Sequence, residues 1–150
     1  MNIGKPRALG KKIEELTVGQ AINVTEIIED QQLLLYLGLT NDANPLYVQH
    51  DYAKETDFAA PIVPPVMLIG IVTSTISKHL PGAGSQLLDL TTKFINPVYH
   101  YQTVTFHFEI VEIHLNEKVV VIDVSAVNDQ KEQVLSALAT VKPPVVNKLV

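Results

Sequence analysis

The chain has 150 residues, which is the length of one domain. Charged residues make up 18% of it, against roughly 25% in an average soluble domain, so we expect a subunit interface to cover part of its apolar surface. Its net charge of −5 argues against nucleic-acid binding, which needs a basic surface. The absence of cysteine excludes disulfides, thiol nucleophiles and zinc–thiolate sites and fits the reducing cytoplasm, which is the location we predict.

The first third of the chain predicts a short arm, a strand, a helix and a loop. Residues 1–12 contain four basic side chains beside Gly and Pro and are predicted to form a flexible arm. The segment "IEELTVGQAINVTEII" predicts a turn leading into a first strand. "EDQQLLLYLGLTND" predicts a helix, because acidic residues fill its first turn and Leu33, Leu34 and Leu37 recur along it. Residues 41–58 are rich in turn formers and predict a structured loop with short helical turns.

The uncharged stretch "FAAPIVPPVMLIGIVTSTIS" is long enough to raise the question of a membrane span. Three prolines in its first half and Ser/Thr residues in its second half leave only "VMLIGIV" as a continuous apolar run, which argues against a span. We predict instead a long apolar helix buried on all sides in the core. It is expected to begin at Pro64 and Pro65, whose missing N–H groups cost little in a first turn, and to end near His79.

The remaining sequence alternates apolar and polar residues with a period of two. After the Gly-rich turn "LPGAGS", we predict four antiparallel strands in "QLLDLTTKFINPV", "TVTFHFEIVEIHL", "KVVVIDVSAVN" and "QVLSALATVKP". "LNEK" and "NDQKE" supply hairpin turns, and residues 143–150 are predicted to be a loose tail. The order of elements predicts one α+β domain over residues 1–150, with an antiparallel sheet wrapped around the long helix.

Three motifs occur in one order along the chain: "DANPLY" at 42–47, "LPGAGS" at 80–85 and "F-x-x-PV" at 94–98. In this order and spacing the chain resembles the MaoC-like (R)-specific enoyl-CoA hydratases and dehydratases of the hotdog fold. The resemblance covers residues 17–141. It implies a hotdog domain acting on an acyl thioester of coenzyme A or acyl carrier protein, with no cofactor beyond the coenzyme A of the substrate.

The catalytic loop of the resembled family is Asp-x-Asn-Pro-Ile/Leu-His, in which the Asp and the His hold one water between them. Asp42 matches the Asp and Asn44 the Asn, but Tyr47 stands where the His is expected. A phenol with a pKa near 10 is ionised in about one molecule in a thousand at neutral pH, so Tyr47 is a poor base that can still donate a proton or orient a water. His50, which shares a face with Tyr47 if the segment is helical, is a candidate accessory group; the alternative is a solvated side chain.

The resemblance also implies an N–H group that polarises the thioester carbonyl, from the Gly of an Ile-x-His-Gly segment at the start of the long helix. Here "IVPPVM" places Pro64 at the His and Pro65 at the Gly, and proline has no N–H. Losing such a donor typically lowers the rate by roughly 100- to 1000-fold. The N–H of Val66 and the helix dipole are candidate substitutes, and Thr73 falls where the family has a hydroxyl that supports the catalytic Asp.

The other histidines show no pattern of metal ligands. His79, His100, His107 and His114 lack paired spacing and an accompanying carboxylate pattern, so we predict no metal site and treat these four as structural. A further departure from the family lies beside one of them, since the Gly-Asp that opens the next strand is Tyr101-Gln102 here.

These features predict an acyl-CoA hydratase or dehydratase with an altered site, in which Asp42 is the main acid/base group and Tyr47 positions the water. One alternative is a non-catalytic acyl-thioester-binding hotdog protein, such as a partner subunit of an active chain. A second is a hotdog thioesterase, in which Asp42 directs water at the carbonyl carbon. We expect a homodimer or a dimer of dimers, or a heteromer with an active hotdog subunit, with the pocket at the interface and no nucleic-acid or membrane partner.

Overall fold

The computed structural model describes residues 8–146, which contain one 3-10 turn, four α-helices and five strands. The 3-10 turn is Ile13–Glu15. In chain order the other elements are β1 (Ala21–Ile27), α1 (Asp30–Thr40), α2 (Pro45–Val48), α3 (His50–Lys54), α4 (Pro65–Lys78), β2 (Gln86–Phe94), β3 (Thr103–His114), β4 (Val119–Val127) and β5 (Gln133–Lys142).

The five strands form one antiparallel sheet in the order β1-β3-β4-β5-β2. Hairpins join β3, β4 and β5, which confirms the two predicted turns, while β1 and β2 lie at opposite edges. Phe106 pairs with Ala126 and Phe108 with Val124 across the β3–β4 ladder. The predicted run of four antiparallel strands after the long helix is confirmed.

One face of the sheet forms the core, and α4 packs against it. Alternate residues of β3, including Phe106 and Phe108, are fully buried, and their rings stack with centroids 6.5 Å apart. Leu68, Val72 and Ile76 of α4 belong to the same apolar cluster. Burying such side chains contributes roughly 1.5–3 kcal/mol each, so the layer between α4 and the sheet holds the domain together.

In the single chain, α4 is covered on one side only. It has 14 residues, and the side opposite its buried residues carries Val66, which is 48% exposed, and Gly70. Within residues 8–146 the expected enclosure on all sides is therefore absent, because a helix lying on one face of a sheet leaves its far side uncovered. None of the helices in residues 8–146 has the length and apolar character needed to cross a membrane.

At both ends of the described chain, residues that were predicted to lie in a flexible arm or a loose tail pack against the domain. The N–H groups of Gly10 and Lys11 each donate to a carbonyl of the LPGAGS turn at 2.9 Å. A Cβ on Gly10 would lie 2.5 Å from the Pro81 carbonyl oxygen, so this close approach requires glycine. Residues 143–144 are buried as well. Residues 1–7 of the predicted arm and 147–150 of the predicted tail lie outside the described residues.

Candidate active site

The loop after α1 holds the Asp42 carboxyl group in a defined position. Asn41 ends α1 in the left-handed conformation, with φ of 54°, which Asn tolerates better than most residues. The Tyr36 hydroxyl donates to Oδ2 of Asp42 at 2.7 Å, and the N–H of Asn44 donates to Oδ1 at 3.3 Å. Both oxygens of this half-buried carboxyl group therefore have a partner.

Asn44 places Tyr47 by starting the short helix α2. Its Oδ1 accepts the N–H of Leu46 at 3.0 Å, a typical N-cap, and Pro45 suits the first helical position. The N–H of Tyr47 donates to the Asn44 carbonyl at 2.9 Å. In the structure Asn44 thus acts on the backbone of the loop, and its predicted contact with substrate stays a prediction.

Tyr47 lines a cavity of about 570 Å³ between α1, α2 and the turn before β3. This volume falls within the roughly 300–1000 Å³ of small-molecule sites. Leu33, Leu37 and Val48 supply apolar lining. His50 lines the same cavity, although an extended residue between α2 and α3 breaks the single helix that would have aligned it with Tyr47. The titratable lining groups are Asp30, Tyr47, His50, Tyr99, His100 and Tyr101.

The carboxyl group of Asp42 influences two neighbouring phenols. Its hydrogen bond is the main cause that raises the pKa of Tyr36 above the ordinary value. Burial, and then the negative charge of Asp42, raise the pKa of Tyr47, while a hydrogen bond with Asn44 opposes them. Both phenols therefore keep their protons at neutral pH. This environment suits Tyr47 to donating a proton or orienting a water and makes it a still poorer base.

The predicted residues at the start of α4 do not line the cavity beside Tyr47 in the described chain. Pro64 is the N-cap of α4 and Pro65 its first residue. The N–H of Met67 donates to the Pro64 carbonyl at 3.0 Å. Because Pro65 has no N–H, Val66 carries the first amide hydrogen of the helix, and its residue is half exposed.

The predicted hydrogen bond between Thr73 and Asp42 does not occur within the described chain. The hydroxyl of Thr73 donates to the carbonyl of Gly70 at 3.1 Å, within its own helix. The backbone joins the two regions, since the N–H of Ile62 donates to the Leu46 carbonyl at 3.0 Å. One chain therefore brings together Asp42 and the cavity-lining loop but not the α4 residues, whose predicted roles stay predictions.

Two side chains at this site were not selected by the sequence interpretation. Tyr36 contacts Asp42, and the only sequence signal is an aromatic residue on the preceding helix. His100 lines the cavity with Nδ1 3.7 Å from Oδ1 of Asp30. No spacing rule could have joined His100 to Asp30, because the fold alone brings these distant segments together. In residues 8–146 no group of three or more His, Asp or Glu side chains is placed to hold a metal ion.

The chain is similar to known proteins in both sequence and structure. A family model described as "MaoC like domain" matches residues 10–131. An (R)-specific enoyl-CoA hydratase of Rhodospirillum rubrum is 32% identical over 92 residues, which span 61% of this chain and 64% of that protein. The unliganded R-hydratase PhaJ1 of Pseudomonas aeruginosa superposes with a TM-score of 0.85 at 26% identity, covering 91% of this chain and 88% of that one.

A similar fold also occurs in a complex of two different chains. A chain of the ChsH1-ChsH2 complex from Mycobacterium tuberculosis superposes with a TM-score of 0.76 at 16% identity, covering 85% of this chain and 98% of that one. At this identity the likeness concerns the fold alone.

Proposed function

Because the chain belongs to the MaoC-like domain family, whose model matches residues 10–131, we propose that it is an (R)-specific enoyl-CoA hydratase or dehydratase with an altered active site. Its fold is the hotdog fold, as the resemblance implied. The observation that carries the proposal is the Asp42 loop, in which Tyr36 and Asn44 fix a carboxyl group whose charge acts on Tyr47, a residue that lines a cavity of ligand size. The substrate is an acyl thioester of coenzyme A or acyl carrier protein, and adding water requires no further cofactor.

In the proposed hydration, the oxygen of a water molecule forms a bond to Cβ while the electrons of the C=C bond move toward the thioester carbonyl. Asp42 takes the proton that the water loses, and that proton is then added at Cα, so the net change is the addition of one water. Asp42 is the main acid/base group, and Tyr47, which keeps its proton, orients the water. The first N–H of α4, at Val66, and the positive end of the helix dipole stabilise the developing charge on the thioester oxygen.

The separation between α4 and the Tyr47 cavity supports a pocket that is completed at a subunit interface. Within residues 8–146 Val66 and Thr73 are not among the residues that line the cavity, and Val66 is half exposed. We place the complete pocket between two subunits of a homodimer, or of a dimer of dimers. A heteromer with an active hotdog chain is the alternative assembly.

Pro65 favours a second candidate, a non-catalytic acyl-thioester-binding subunit. A chain that no longer catalyses a reaction can lose both the carbonyl-polarising N–H and the imidazole of the loop while it keeps the cavity and the fold. The N–H at position 65 is absent, and the side chain at position 47 is a phenol. A thioesterase is the third candidate, and in it water attacks the carbonyl carbon of the thioester instead of Cβ.

Incubation of the purified chain with crotonyl-CoA separates the three functions. A hydratase lowers the enoyl absorbance and leaves the thioester intact, a thioesterase releases free coenzyme A thiol, and a binding subunit does neither. In the binding case an acyl-CoA still raises the melting temperature, by an amount that grows with ligand concentration. Absence of both turnover and binding with every acyl-CoA chain length would remove the coenzyme A form of the proposal and leave the acyl-carrier-protein form for the same assays.

Restoring the two altered groups tests the assignment of Tyr47 and Pro65. We expect the double variant Tyr47→His with Pro65→Gly to hydrate crotonyl-CoA faster than either single variant, since both groups act in one transition state. A general base and an oxyanion donor can each raise the rate by roughly 100-fold or more, so the gain is readily measured as kcat/KM.

A matched control for this rescue is Tyr52→His, because Tyr52 is a half-exposed tyrosine of α3 in the same part of the chain. It should leave hydration unchanged. The new glycine can cost up to about 1 kcal/mol of stability, so the melting temperature of each variant must be compared first. A double variant that folds and binds acyl-CoA yet hydrates nothing would leave the binding role as the function.

A further inference from the structure

The cavity beside Tyr47 has a largely apolar wall that continues to its mouth. Its apolar lining side chains are Leu33, Leu34, Leu37, Val48, Ala60 and Pro61. Leu34 lines the cavity although it is 67% exposed, so it lies where the cavity opens to solvent. Exposed apolar side chains around a concave site are typical of ligand-binding grooves. A ligand that fills this cavity therefore carries an apolar segment.

The cavity is larger than a four-carbon acyl group requires. A methylene group is about as large as a water molecule, whose share of liquid volume is about 30 Å³, so a crotonyl group needs roughly 120 Å³ and an eight-carbon chain roughly 240 Å³. The cavity has a volume of about 570 Å³. Apolar space that a ligand leaves unfilled forfeits dispersion contacts with the lining side chains. A longer acyl chain therefore fits this cavity better than a crotonyl group does.

Tyr101, which lines the same cavity, has a backbone conformation that favours glycine. Its φ is 66°, in the left-handed region that is strained for a residue with a Cβ. Lys118 and Lys131 also have positive φ, but they lie in the β3–β4 and β4–β5 hairpin turns, where this conformation is usual. Strained residues outside such turns cluster at ligand sites, where the side chain has a role that offsets the strain.

The side chain of Tyr101 is not needed to hold its own turn. The N–H of Tyr101 donates to the carbonyl of Ile28 at 3.0 Å, and the N–H of Gln102 donates to the carbonyl of Tyr99 at 3.2 Å. The hydroxyl of Tyr99 donates to the carbonyl of Phe58 at 2.8 Å and ties the turn to the loop before α4. The ring of Tyr101 takes no part in these bonds, and its residue is 58% exposed. Neither the turn nor the core therefore explains a tyrosine at this position.

Asp30 holds the phenol of Tyr101 beside the cavity. Asp30 lies in the first turn of α1 and lines the cavity, and its hydrogen bond is the main cause that raises the pKa of Tyr101 above the ordinary value. The ring of Tyr101 is thereby kept at the mouth of the cavity, where Leu34 is also exposed. An aromatic ring supplies a large apolar contact area and keeps its hydroxyl in water. In this position it can cover an apolar chain on the solvent side.

We infer that the Tyr47 cavity holds the far part of an acyl chain of about eight carbons or more, and that Tyr101 is the specificity-determining residue that covers this chain at the mouth. The inference rests on the acyl-thioester substrate of the proposed function. Tyr47 links the cavity to the Asp42 loop, since it lines the cavity and the charge of Asp42 acts on it. The carbons next to the thioester therefore lie near Tyr47, and the carbons beyond them extend along the leucines of α1.

The first experiment measures how the affinity of the wild-type chain depends on acyl length. Titration calorimetry with butyryl-CoA and octanoyl-CoA avoids turnover, because neither ligand has the C=C bond that hydration needs. Complete removal of one methylene group from water raises affinity by roughly fourfold. Octanoyl-CoA has four more carbons, which an open cavity covers in part, so we expect its Kd to be lower by about 10-fold or more. Equal Kd values for the two ligands would overturn the inference.

The second experiment compares Tyr101→Gly with Lys118→Gly, which relieves the same backbone strain in a turn remote from the cavity lining. Both variants should raise the melting temperature by about 2–4 °C, because glycine adopts positive φ without strain. Tyr101→Gly should also weaken octanoyl-CoA binding by about 10-fold and butyryl-CoA binding much less, and Lys118→Gly should change neither. Tyr101→Phe keeps the ring and should retain the octanoyl-CoA affinity. A Tyr101→Gly variant that binds octanoyl-CoA normally, or that melts at a lower temperature, would overturn the role of Tyr101.

Hydration assays with crotonyl-CoA and 2-octenoyl-CoA distinguish failure of this inference from failure of the proposed function. Equal kcat/KM for the two substrates, unchanged in Tyr101→Gly, would refute the inference and keep the hydratase function. Octanoyl-CoA binding that depends on Tyr101, without hydration of either substrate, would refute the hydratase function and support the assignment of the cavity. If the wild-type chain binds neither butyryl-CoA nor octanoyl-CoA, the assignment of the cavity falls.

Discussion

At the residue scale, the contact between Tyr36 and Asp42 decides how the loop presents its carboxyl group. Tyr36 lies one helical turn beyond the buried Leu33 on α1, so the packing of that helix directs the phenol toward the loop. Its hydroxyl donates to Oδ2 of Asp42 at 2.7 Å. The contact fixes the carboxyl group before any substrate arrives, which limits the entropy lost when the site is occupied.

The raised pKa values of Tyr36 and Tyr47 predict a response to removal of the Asp42 charge. In an alkaline titration followed by tyrosinate absorbance, we expect part of the tyrosine absorbance to appear above the ordinary pKa of about 10. Asp42→Asn should move the Tyr36 and Tyr47 share of that absorbance to lower pH, because both phenols lose the negative charge that opposes their ionisation, whereas Tyr101, whose pKa is raised mainly by its hydrogen bond with Asp30, should not respond. Asp129→Asn, an exposed change in the β4–β5 turn, is the control and should leave the titration unchanged.

The sign of the linked stability follows from the same pKa values. The folded chain holds these phenolic protons more tightly than the unfolded chain, so their contribution is complete below about pH 10 and is lost as the pH rises through the folded-state values. Urea unfolding should show a free energy of unfolding that falls above that pH, and a smaller fall in Asp42→Asn. An equal fall in both proteins would contradict the assigned cause.

The sequence predicted the loop residues of the site better than their partners. Asp42 and Tyr47 could be placed because they lie within one short motif, and the weak basicity of a phenol follows from its ordinary pKa. The contacts of Asp42 with Tyr36, and of His100 with Asp30, depend on how separate segments pack. Local patterns hold no information on such contacts.

At the scale of elements, β5 shows why strand boundaries and faces are only partly readable. The period-two pattern predicted one buried side, and from Leu135 to Val141 every second residue is indeed buried. Val134 is buried as well, next to Leu135, because the β4–β5 register shifts between Ala126 and Val127. A bulge of this kind adds one residue to a strand and locally reverses its faces, and the side-chain pattern alone does not mark it.

Two leucines of β5 provide a matched test of the core. Leu135→Ala removes a fully buried side chain and should lower the free energy of unfolding by about 2–5 kcal/mol. Leu138 is 48% exposed on the open face of the same strand, so Leu138→Ala should change it by about 1 kcal/mol or less. Urea unfolding measures both changes. Similar losses for the two variants would contradict the assignment of Leu135 to the core face and of Leu138 to the open face.

The helices were also predicted only in part, because their ends could be predicted from the sequence and their burial could not. The start and end of α4 were predicted closely, since Pro64 and Pro65 mark the first turn and the helix ends at Lys78, one residue before the expected His79. The burial of α4 was not predicted correctly, because the hydrophobic content of a helix does not tell whether its own chain or another chain covers it. The same limit applies to α1, where Leu34, one of the three leucines from which the helix was predicted, is 67% exposed.

At the scale of the whole molecule, apolar side chains cluster on surfaces that one chain leaves uncovered. Side chains exposed on α1, at the start of α4 and along β2 are Leu34, Leu35, Leu39, Val66, Leu88 and Phe94. β2 is an edge strand with β5 as its ladder partner, so among residues 8–146 its other edge offers unpaired backbone groups. Exposed apolar area beside an open edge is typical of a surface that a second subunit covers.

We therefore predict that light scattering at micromolar concentration gives at least twice the 16.5 kDa mass of the chain. Leu88→Lys should shift the mass toward the monomer, because it places a charge on the β2 edge. Leu115→Lys is the control, since Leu115 is 65% exposed in the β3–β4 turn. A wild-type monomer at this concentration would rule out a pocket completed by a second subunit.

The strand order also constrains when the domain can be completed during synthesis. β2 leaves the ribosome before β3, β4 and β5, yet it pairs with β5, the last of these to appear. Until residues 133–142 have emerged, β2 has no neighbour in the sheet, and α4 lacks part of the apolar face on which it rests. A nascent chain stopped before β5 carries both an unpaired strand and an uncovered helix, the features that chaperones recognise and that promote aggregation.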